Sequence, residues 1–336
     1  MMKVGVIGLG KMGLSHCSIL NAQAEVELAA VCDTSALVLE AFKKFSKSRI
    51  YSDYRALFEK EQLDAVIVAT PTKLHFEIVK MALQKGMHVF CEKPFSLTVA
   101  EGRELVELAN KKQLVNQVGY HNRFIGTFNE FKRLVENEII GEIYHFHGEA
   151  YGPVIVKEKG GNWRSSRAEG GGCLFDYASH VINLIQYILG TPVKVGGTLL
   201  KSAYSKEVED TVYSSLTLDN GISGQLSVNW SDETYRKMST SIMAIGTGGK
   251  IQCDATEIKI YLKKDHPSFG LEKGWNIRYI TDFAQNVNFY LRGEEYSAQI
   301  EYFIQNILNK DIKNLSSFEF ALNTDEIIEL LINDKN

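Results

Sequence analysis

The chain of 336 residues has 45% hydrophobic residues, 23% charged residues and a formal net charge of −4 at pH 7. This length and composition predict two globular domains with a sizeable buried core. The slightly acidic balance argues against nucleic acid or an anionic membrane surface as the main partner. No apolar run reaches the roughly 20 residues that a helix needs to span a bilayer.

The cysteines are odd in number, widely scattered and without a C-x-x-C pair, which argues against a disulfide framework or a zinc site. A reducing cytosol fits this usage, so we expect a cytoplasmic protein. The start of the chain resembles a short signal peptide, but its apolar run is broken by glycines and followed by Lys11; we interpret it as a buried strand. The cysteines are Cys17, Cys32, Cys91, Cys173 and Cys253.

Short apolar runs alternate with helical patterns over the first third of the chain. Strands are predicted at Lys3–Ile7, Val26–Cys32, Ala65–Ala69, His88–Cys91 and Leu114–Gly119. Helices are predicted at Met12–Asn21, Ala36–Phe45, His75–Gln84 and Ala100–Lys111. Such alternation is typical of an α/β fold in which a parallel sheet carries helices on both faces.

The pattern changes after about Gly126. A predicted helix at Phe128–Asn137 leads into a strand-rich region, where Gln225–Trp230 and Glu257–Leu262 alternate apolar and polar residues. This period of two predicts a sheet with one apolar and one polar face. Further helices are predicted at His180–Leu189 and around Ile300–Leu308, the latter packing back on the body of the protein.

A G-x-G-x-x-G sequence formed by Gly8, Gly10 and Gly13 follows the first predicted strand and opens the first predicted helix. The three glycines would allow a tight turn, the close approach of a pyrophosphate, and helix–strand packing. Asp33 ends the second strand, where a carboxylate binds the ribose hydroxyls of NAD and repels the 2′-phosphate of NADP. The alternative is a plain turn followed by a helix-capping aspartate.

A second glycine-rich segment, residues 246–250, superficially resembles a phosphate-binding P-loop. Ile251 stands where that motif requires serine or threonine, so we expect a hairpin turn there.

In combination, several motifs resemble those of the Gfo/Idh/MocA oxidoreductases. The most specific are Glu92-Lys93-Pro94 after a strand and Asp176 with His180 after a glycine run. The others are the glycine fingerprint with Asp33, the segments 69–75 and 119–124, Trp163-Arg164, and the run 170–175. The resemblance implies a Rossmann NAD-binding domain over residues 1–122. It also implies an α+β domain over residues 123–336 with a large, open, mainly antiparallel sheet, often used for oligomer contacts.

The resemblance also implies the site. The catalytic residues would be Lys93, Asp176 and His180. The cofactor-binding residues would be Gly8, Gly10, Lys11, Met12, Gly13, Asp33, Thr70, Pro71, His75, Glu92, Lys93, Asn122, Trp163 and Arg164. The substrate-binding residues would be Lys93, Arg123, Tyr151, Arg167, Asp176 and His180.

Oxidation of a secondary alcohol needs a hydride acceptor, a base for the hydroxyl proton and a positive group at the oxygen. We hypothesise that His180 is the base and that Lys93 polarises the oxygen. Asp176, four residues before His180, would orient it or bind a neighbouring substrate hydroxyl. Lys93 is the alternative base if burial lowers its pKa.

Arg164, Arg167 and free backbone N–H groups of Gly170–Gly172 suit an anion, which favours a nucleotide-linked sugar or a uronate as substrate. The alternative is that the glycines only let the chain pass close to the nicotinamide.

Asn183, three residues after His180, stands where many members of the family that the chain resembles carry aspartate.

Two further groups carry weaker signals. His145 and His147 lie on one side of a strand, but they lack a third ligand, so no metal is expected. Tyr51 and Asp53 are interpreted as a cap for the next helix.

The leading hypothesis is an NAD-dependent dehydrogenase of a sugar, polyol or nucleotide-linked sugar, acting as a homodimer or homotetramer. The alternatives are a keto-sugar reductase of a glycan-biosynthesis pathway and a catalytically silent NAD-binding sensor.

Overall fold

The computed structural model describes residues 1–157, 163–284, 286–291, 293–309 and 314–335. Contacts between Cα atoms divide the chain into two compact units. The first unit comprises residues 1–121 and 286–322, and the second comprises residues 122–285 and 323–336.

A six-stranded sheet, parallel throughout, is the centre of the first unit. Its strands are β1 (Met2–Ile7), β2 (Val26–Cys32), β3 (Arg49–Tyr51), β4 (Ala65–Val68), β5 (His88–Cys91) and β6 (Asn116–Val118). Their order in the sheet is β3-β2-β1-β4-β5-β6. The strand order therefore reverses direction between β1 and β4, the place where doubly wound sheets bind ligands at their carboxyl edge.

The helices of this unit are α1 (Lys11–Asn21), α2 (Ala36–Lys43), α3 (Tyr54–Lys60), α4 (His75–Gln84), α5 (Val99–Lys111) and α9 (Glu294–Leu308). Two apolar cores border the sheet, and Ile300, Phe303 and Ile304 of α9 belong to one of them. Packing of that late helix on the early strands was expected from its apolar spacing. The short strand β3 was not predicted. Asp53 caps α3, the helix expected after it, by accepting the Arg55 N–H at 2.9 Å, whereas Tyr51 lies in β3 and is not part of the cap.

An eight-stranded, mainly antiparallel sheet forms the second unit, as the resemblance implied. Its strands are β7 (Ile143–Tyr151), β8 (Pro192–Lys201), β9 (Thr211–Leu218), β10 (Ser223–Asn229), β11 (Ser239–Gly246), β12 (Gly249–Asp254), β13 (Glu257–Leu262) and β14 (Gly274–Tyr279). Their order is β14-β13-β12-β11-β7-β10-β9-β8, and only the β7–β10 pair is parallel. The segment 246–250 is the expected hairpin turn between β11 and β12.

Helices cover one face of this sheet. The helices that begin in this unit are α6 (Gly126–Glu136), α7 (Val154–Lys157) and α8 (Ser179–Ile188), and the chain ends with α10 (Phe318–Asp334). A Cβ added to Gly148 of β7 would lie 2.8 Å from Val181 and Ile185 of α8, so the helix packs directly on the strand. The opposite face leaves Tyr261, Trp275 and Tyr279 exposed, in agreement with the predicted two-faced alternation. Within the described parts of the chain, the helices are all too short or too polar to cross a membrane.

Candidate functional site

The glycine loop between β1 and α1 has the geometry that its sequence predicted. Gly8 adopts φ +92°, and a Cβ there would overlap the carbonyl oxygen of Ala69. A Cβ on Gly13 would overlap the carbonyl of Gly8, so this glycine lets the helix pack against the loop. Around Gly10, by contrast, a Cβ would meet nothing within 4 Å. The open side of Gly10 therefore faces space at the N-terminus of a helix, where a pyrophosphate binds.

Asp33 ties the end of β2 to this loop. One carboxylate oxygen accepts the N–H of Leu9 at 2.6 Å, and the other accepts the N–H of Ser35 at 2.8 Å. Ser35, not Asp33, caps α2 with its side chain. Each carboxylate oxygen has further acceptor capacity, so the half-buried Asp33 can also accept hydrogen bonds from ribose hydroxyls.

His75 links the loops that follow β4 and β5. Its imidazole is buried, with Nε2 2.9 Å from the carbonyl oxygen of Thr70 and Nδ1 3.0 Å from that of Pro94. Burial, opposed by these backbone hydrogen bonds, lowers the pKa of His75. His75 was predicted as a cofactor contact, and the structure gives it the role of joining the Thr70 loop to the Lys93 loop.

Glu92 has a partner that sequence reasoning missed. Its Oε1 lies 2.6 Å from Nε2 of His16, a fully buried residue of α1. Burial raises the pKa of Glu92, but the His16 hydrogen bond and the positive charges of His16 and Lys93 outweigh it, so the net shift is downward. The only sequence signal for His16 was a histidine on the buried face of the helix that the glycine loop opens.

An unsatisfied polar group in the first unit also suits a bound NAD. The Thr70 hydroxyl is buried and has no hydrogen-bond partner within the described ranges. Lys11 and Met12 begin α1, whose first turn has no acidic residue to repel phosphate. An open glycine, a helix N-terminus, the Asp33 carboxylate and the Thr70 hydroxyl thus lie at the carboxyl edge of the sheet, with Pro71 exposed beside them.

In the second unit, Asp176 lies in a π-helical turn, Leu174–Ala178, that runs directly into α8. Asp176 and His180 are 5% and 3% exposed. The Nε of Arg164 donates to Asp176 Oδ2 at 3.0 Å, and the Arg164 guanidinium lies 4.7 Å from the centre of the Trp163 ring. Single π-helical turns are often found at functional sites, and this one was not predicted.

The glycine run before this turn was expected to offer free N–H groups to an anion, and this expectation was wrong. The N–H groups of Gly170, Gly171 and Gly172 donate to backbone carbonyls at 2.9 to 3.1 Å. The next two, of Cys173 and Leu174, donate at 3.0 Å to the backbone carbonyl and the Oε1 of Glu209, respectively. Glu209, distant in sequence, was not foreseen as part of this loop.

Two residues predicted to bind substrate have partners within the second unit. Arg123 is 4% exposed, and its guanidinium donates to Asn183 Oδ1 at 2.6 Å and to the Asn183 carbonyl at 3.3 Å. Tyr151 follows Gly148 by three positions on β7, so it lies on the sheet face opposite α8 and bonds to Ser227 at 2.5 Å. The structure therefore does not bring Tyr151 to the face that carries His180.

The remaining predicted residues are placed as follows. The amide nitrogen of Asn122 is buried and without an acceptor among the described residues, which suits a ligand contact. Arg167 donates to Glu209 Oε2 at 2.7 Å. His145 and His147 lie on the half-exposed face of β7, and no group of three metal-ligating side chains occurs in the residues that the structure describes.

Comparison with known proteins agrees with this geometry. The chain is 29% identical over 240 residues to D-glucoside 3-dehydrogenase of Escherichia coli K12, an alignment that covers 66% of this chain and 68% of the relative. It is 27% identical over 316 residues to myo-inositol 2-dehydrogenase of Thermotoga maritima, with coverage of 91% and 88%. Levoglucosan dehydrogenase in complex with NADH has the same fold, with a TM-score of 0.88 at 21% identity over 99% of this chain and 96% of that one.

The family itself follows from two matches in chain order. The Gfo/Idh/MocA oxidoreductase family, described by its NAD-binding Rossmann fold, matches residues 2–120. The C-terminal domain of the same family matches residues 128–252. The chain therefore belongs to the Gfo/Idh/MocA oxidoreductases, and it is an NAD-binding enzyme.

Proposed function

We propose that this enzyme is a dehydrogenase that transfers hydride between NAD and a secondary alcohol of a sugar or polyol. One observation carries the proposal. Lys93 follows β5 and the open Gly10 loop follows β1, so both lie at the carboxyl edge of the parallel sheet. The names of the relatives, a glucoside dehydrogenase and an inositol dehydrogenase, support the substrate class. When bound, NAD supplies the hydride acceptor.

The roles of the chain's own residues follow from their chemistry. The amine of Lys93 donates to the substrate oxygen and steadies negative charge there. The imidazole of His180 takes the hydroxyl proton in oxidation and returns it in reduction. The Asp176 carboxylate, held by Arg164, orients His180 or a substrate hydroxyl. The residues proposed to contact NAD in the first unit are Gly10, Asp33 and Thr70, with Gly8 and Gly13 shaping the loop.

The test is a screen of sugars and polyols with NAD, followed by absorbance of the reduced nicotinamide. Lys93→Met and His180→Asn should each lower kcat by about 10² to 10⁴-fold, the usual range for a lost acid–base group. His180→Asn should also keep NAD affinity within about twofold. The matched controls are Lys85→Met, at an exposed lysine, and His147→Asn, on the half-exposed face of β7. Both should turn over substrate at the wild-type rate.

Two results would contradict the proposal. Near-normal turnover in both Lys93→Met and His180→Asn would remove the assigned chemistry. Tight NAD binding without turnover of any sugar or polyol would instead favour an NAD-binding sensor.

A further inference from the structure

A buried carboxylate fills the concave side of the loop of residues 170–174. The Glu209 side chain is 3% exposed. Its Oε1 accepts the Leu174 N–H at 3.0 Å and its Oε2 accepts from Arg167 Nη2 at 2.7 Å. Gly172 adopts φ +109°, and a Cβ there would overlap Glu209 Oε1, so the loop is shaped around this carboxylate. Backbone N–H groups and an arginine fork are the donors that proteins use to hold anions.

Both arginines of this region are paired with carboxylates of the described residues. Arg167 pairs with Glu209, and Arg164 pairs with Asp176 at 3.0 Å. The buried Asp210 adds a further negative charge. Burial first, and then the charges of Glu209, Asp176 and Asp210, raise the pKa of the Cys173 thiol well above its ordinary value. A phosphate or carboxylate on a substrate would meet like charges here, which cost binding energy.

We propose that Arg167 and the N–H of Leu174 form an anion-binding cradle occupied by the chain's own Glu209, and that the substrate is therefore an uncharged sugar or polyol. The inference rests on the proposed dehydrogenase function and narrows its substrate class. It replaces the nucleotide-linked sugar or uronate that the two arginines and the glycine run favoured.

Glu209 is, by the same geometry, a positioning residue. Its Oε1 holds the N–H of Leu174, the first residue of the π-helical turn that contains Asp176. The Gly172 carbonyl then accepts the Asp176 N–H at 3.0 Å. Loss of the carboxylate releases both the loop and the start of the turn, and small displacements of reacting groups cost about 10²-fold in rate.

The first experiment compares matched substrates with the full-length enzyme and NAD. The best neutral sugar from the screen is measured against its uronate and its nucleotide-linked counterpart. We expect kcat/KM to be at least about tenfold higher for the neutral sugar. A preference for either charged compound would overturn the substrate class.

The second experiment empties the cradle. Glu209→Ala should lower kcat by about 10²-fold while NAD affinity, a property of the first unit, stays unchanged. Sodium formate should raise the kcat of Glu209→Ala by at least about tenfold, whereas sodium chloride at the same ionic strength should not. Glu209→Gln keeps an acceptor for the Leu174 N–H without the charge, so its kcat should lie between those of wild type and Glu209→Ala. The exposed Glu207 gives the matched control, Glu207→Ala, expected to behave as wild type.

A binding measurement keeps the result independent of turnover. The unfolding temperature of Glu209→Ala should rise in formate relative to chloride, because formate binds only the folded cradle, and wild type should show no such rise. Equal effects of formate and chloride on Tm and kcat would overturn the cradle. If wild type turns over no sugar at all, the proposed function fails, and the formate-dependent Tm still decides whether Glu209 fills an anion site.

Discussion

At the scale of single residues, Asp33 combines two roles. Its carboxylate fixes the chain by accepting the N–H groups of Leu9 and Ser35, and we propose that its charge also selects against a 2′-phosphate. An asparagine in its place removes the charge and keeps one acceptor oxygen, so one of the two backbone hydrogen bonds can remain.

Asp33→Asn should therefore shift cofactor preference. We expect the ratio of kcat/KM for NAD to kcat/KM for NADP to fall by about tenfold or more, since a like-charge repulsion is removed. Asp64 is the matched control because its exposed carboxylate also accepts a backbone N–H, that of Lys3 at 2.7 Å, at the other end of the strands. Asp64→Asn should leave the ratio unchanged; a shift of the same size in both variants would contradict the role of Asp33.

At the scale of elements, the segment from β1 through α1 contains two glycines that the fold requires, Gly8 and Gly13, and one that we propose lies against the ligand, Gly10. Gly13 packs against the Gly8 carbonyl, while Gly10 has extended backbone angles, φ −66° and ψ −172°, that any residue can adopt. The fold therefore tolerates a methyl group at Gly10 but not at Gly13.

Alanine substitutions should show this difference. Gly10→Ala should change the free energy of unfolding by less than about 1 kcal/mol and weaken NAD binding by about tenfold or more, because its methyl occupies the space of the pyrophosphate. Gly13→Ala should destabilise by about 1 to 3 kcal/mol or more through overpacking. Urea unfolding and calorimetric NAD titration measure both effects, and equal loss of stability in the two variants would refute the assignment.

At the scale of the whole molecule, each unit contains a carboxylate whose folded pKa is depressed, Glu92 in the first and Asp210 in the second. Asp210 accepts N–H bonds from Ala203 and Tyr204 at 2.6 Å and from the Trp230 indole at 3.0 Å. Burial raises the pKa of Asp210, and these hydrogen bonds together with those of Ser205 lower it overall. A depressed folded pKa adds stability above the ordinary pKa, and that stability is lost as the pH falls below it.

Asp210→Asn should accordingly be less stable than wild type by about 2 kcal/mol or more at pH 7. The difference should shrink as the pH falls below the ordinary aspartate value of 3.8, because the unfolded chain binds a proton there before the native carboxylate does. Unfolding free energies from pH 7 to pH 3 measure this. Asp219→Asn, at an exposed carboxylate that accepts the Thr191 N–H at 3.2 Å, should show little pH dependence; a constant Asp210 difference would refute the account.

The sequence allowed prediction of features that depend on neighbouring residues. The alternation of strands and helices, the glycine loop and the hairpin at residues 246–250 all follow from local spacing, and the structure confirms them. β3 has only three residues, and α3 is short, so neither has a clear period. Glu209 reaches the turn of Asp176 from 33 positions away, and His16 reaches Glu92 from 76 away. Contacts of this kind depend on tertiary packing, which periodicity does not contain. Self-association and cytoplasmic location stay predictions.

The cysteines offer a practical consequence. All five are buried and none is in a disulfide, and burial raises the pKa of Cys17 and of Cys32 to about 12, the latter with help from Asp53 and Asp33. Such thiols are inert toward alkylating reagents in the folded state. A cysteine introduced at one exposed position would then be the single reactive thiol of the native enzyme, so a fluorophore or spin label can be attached there without first removing the natural ones.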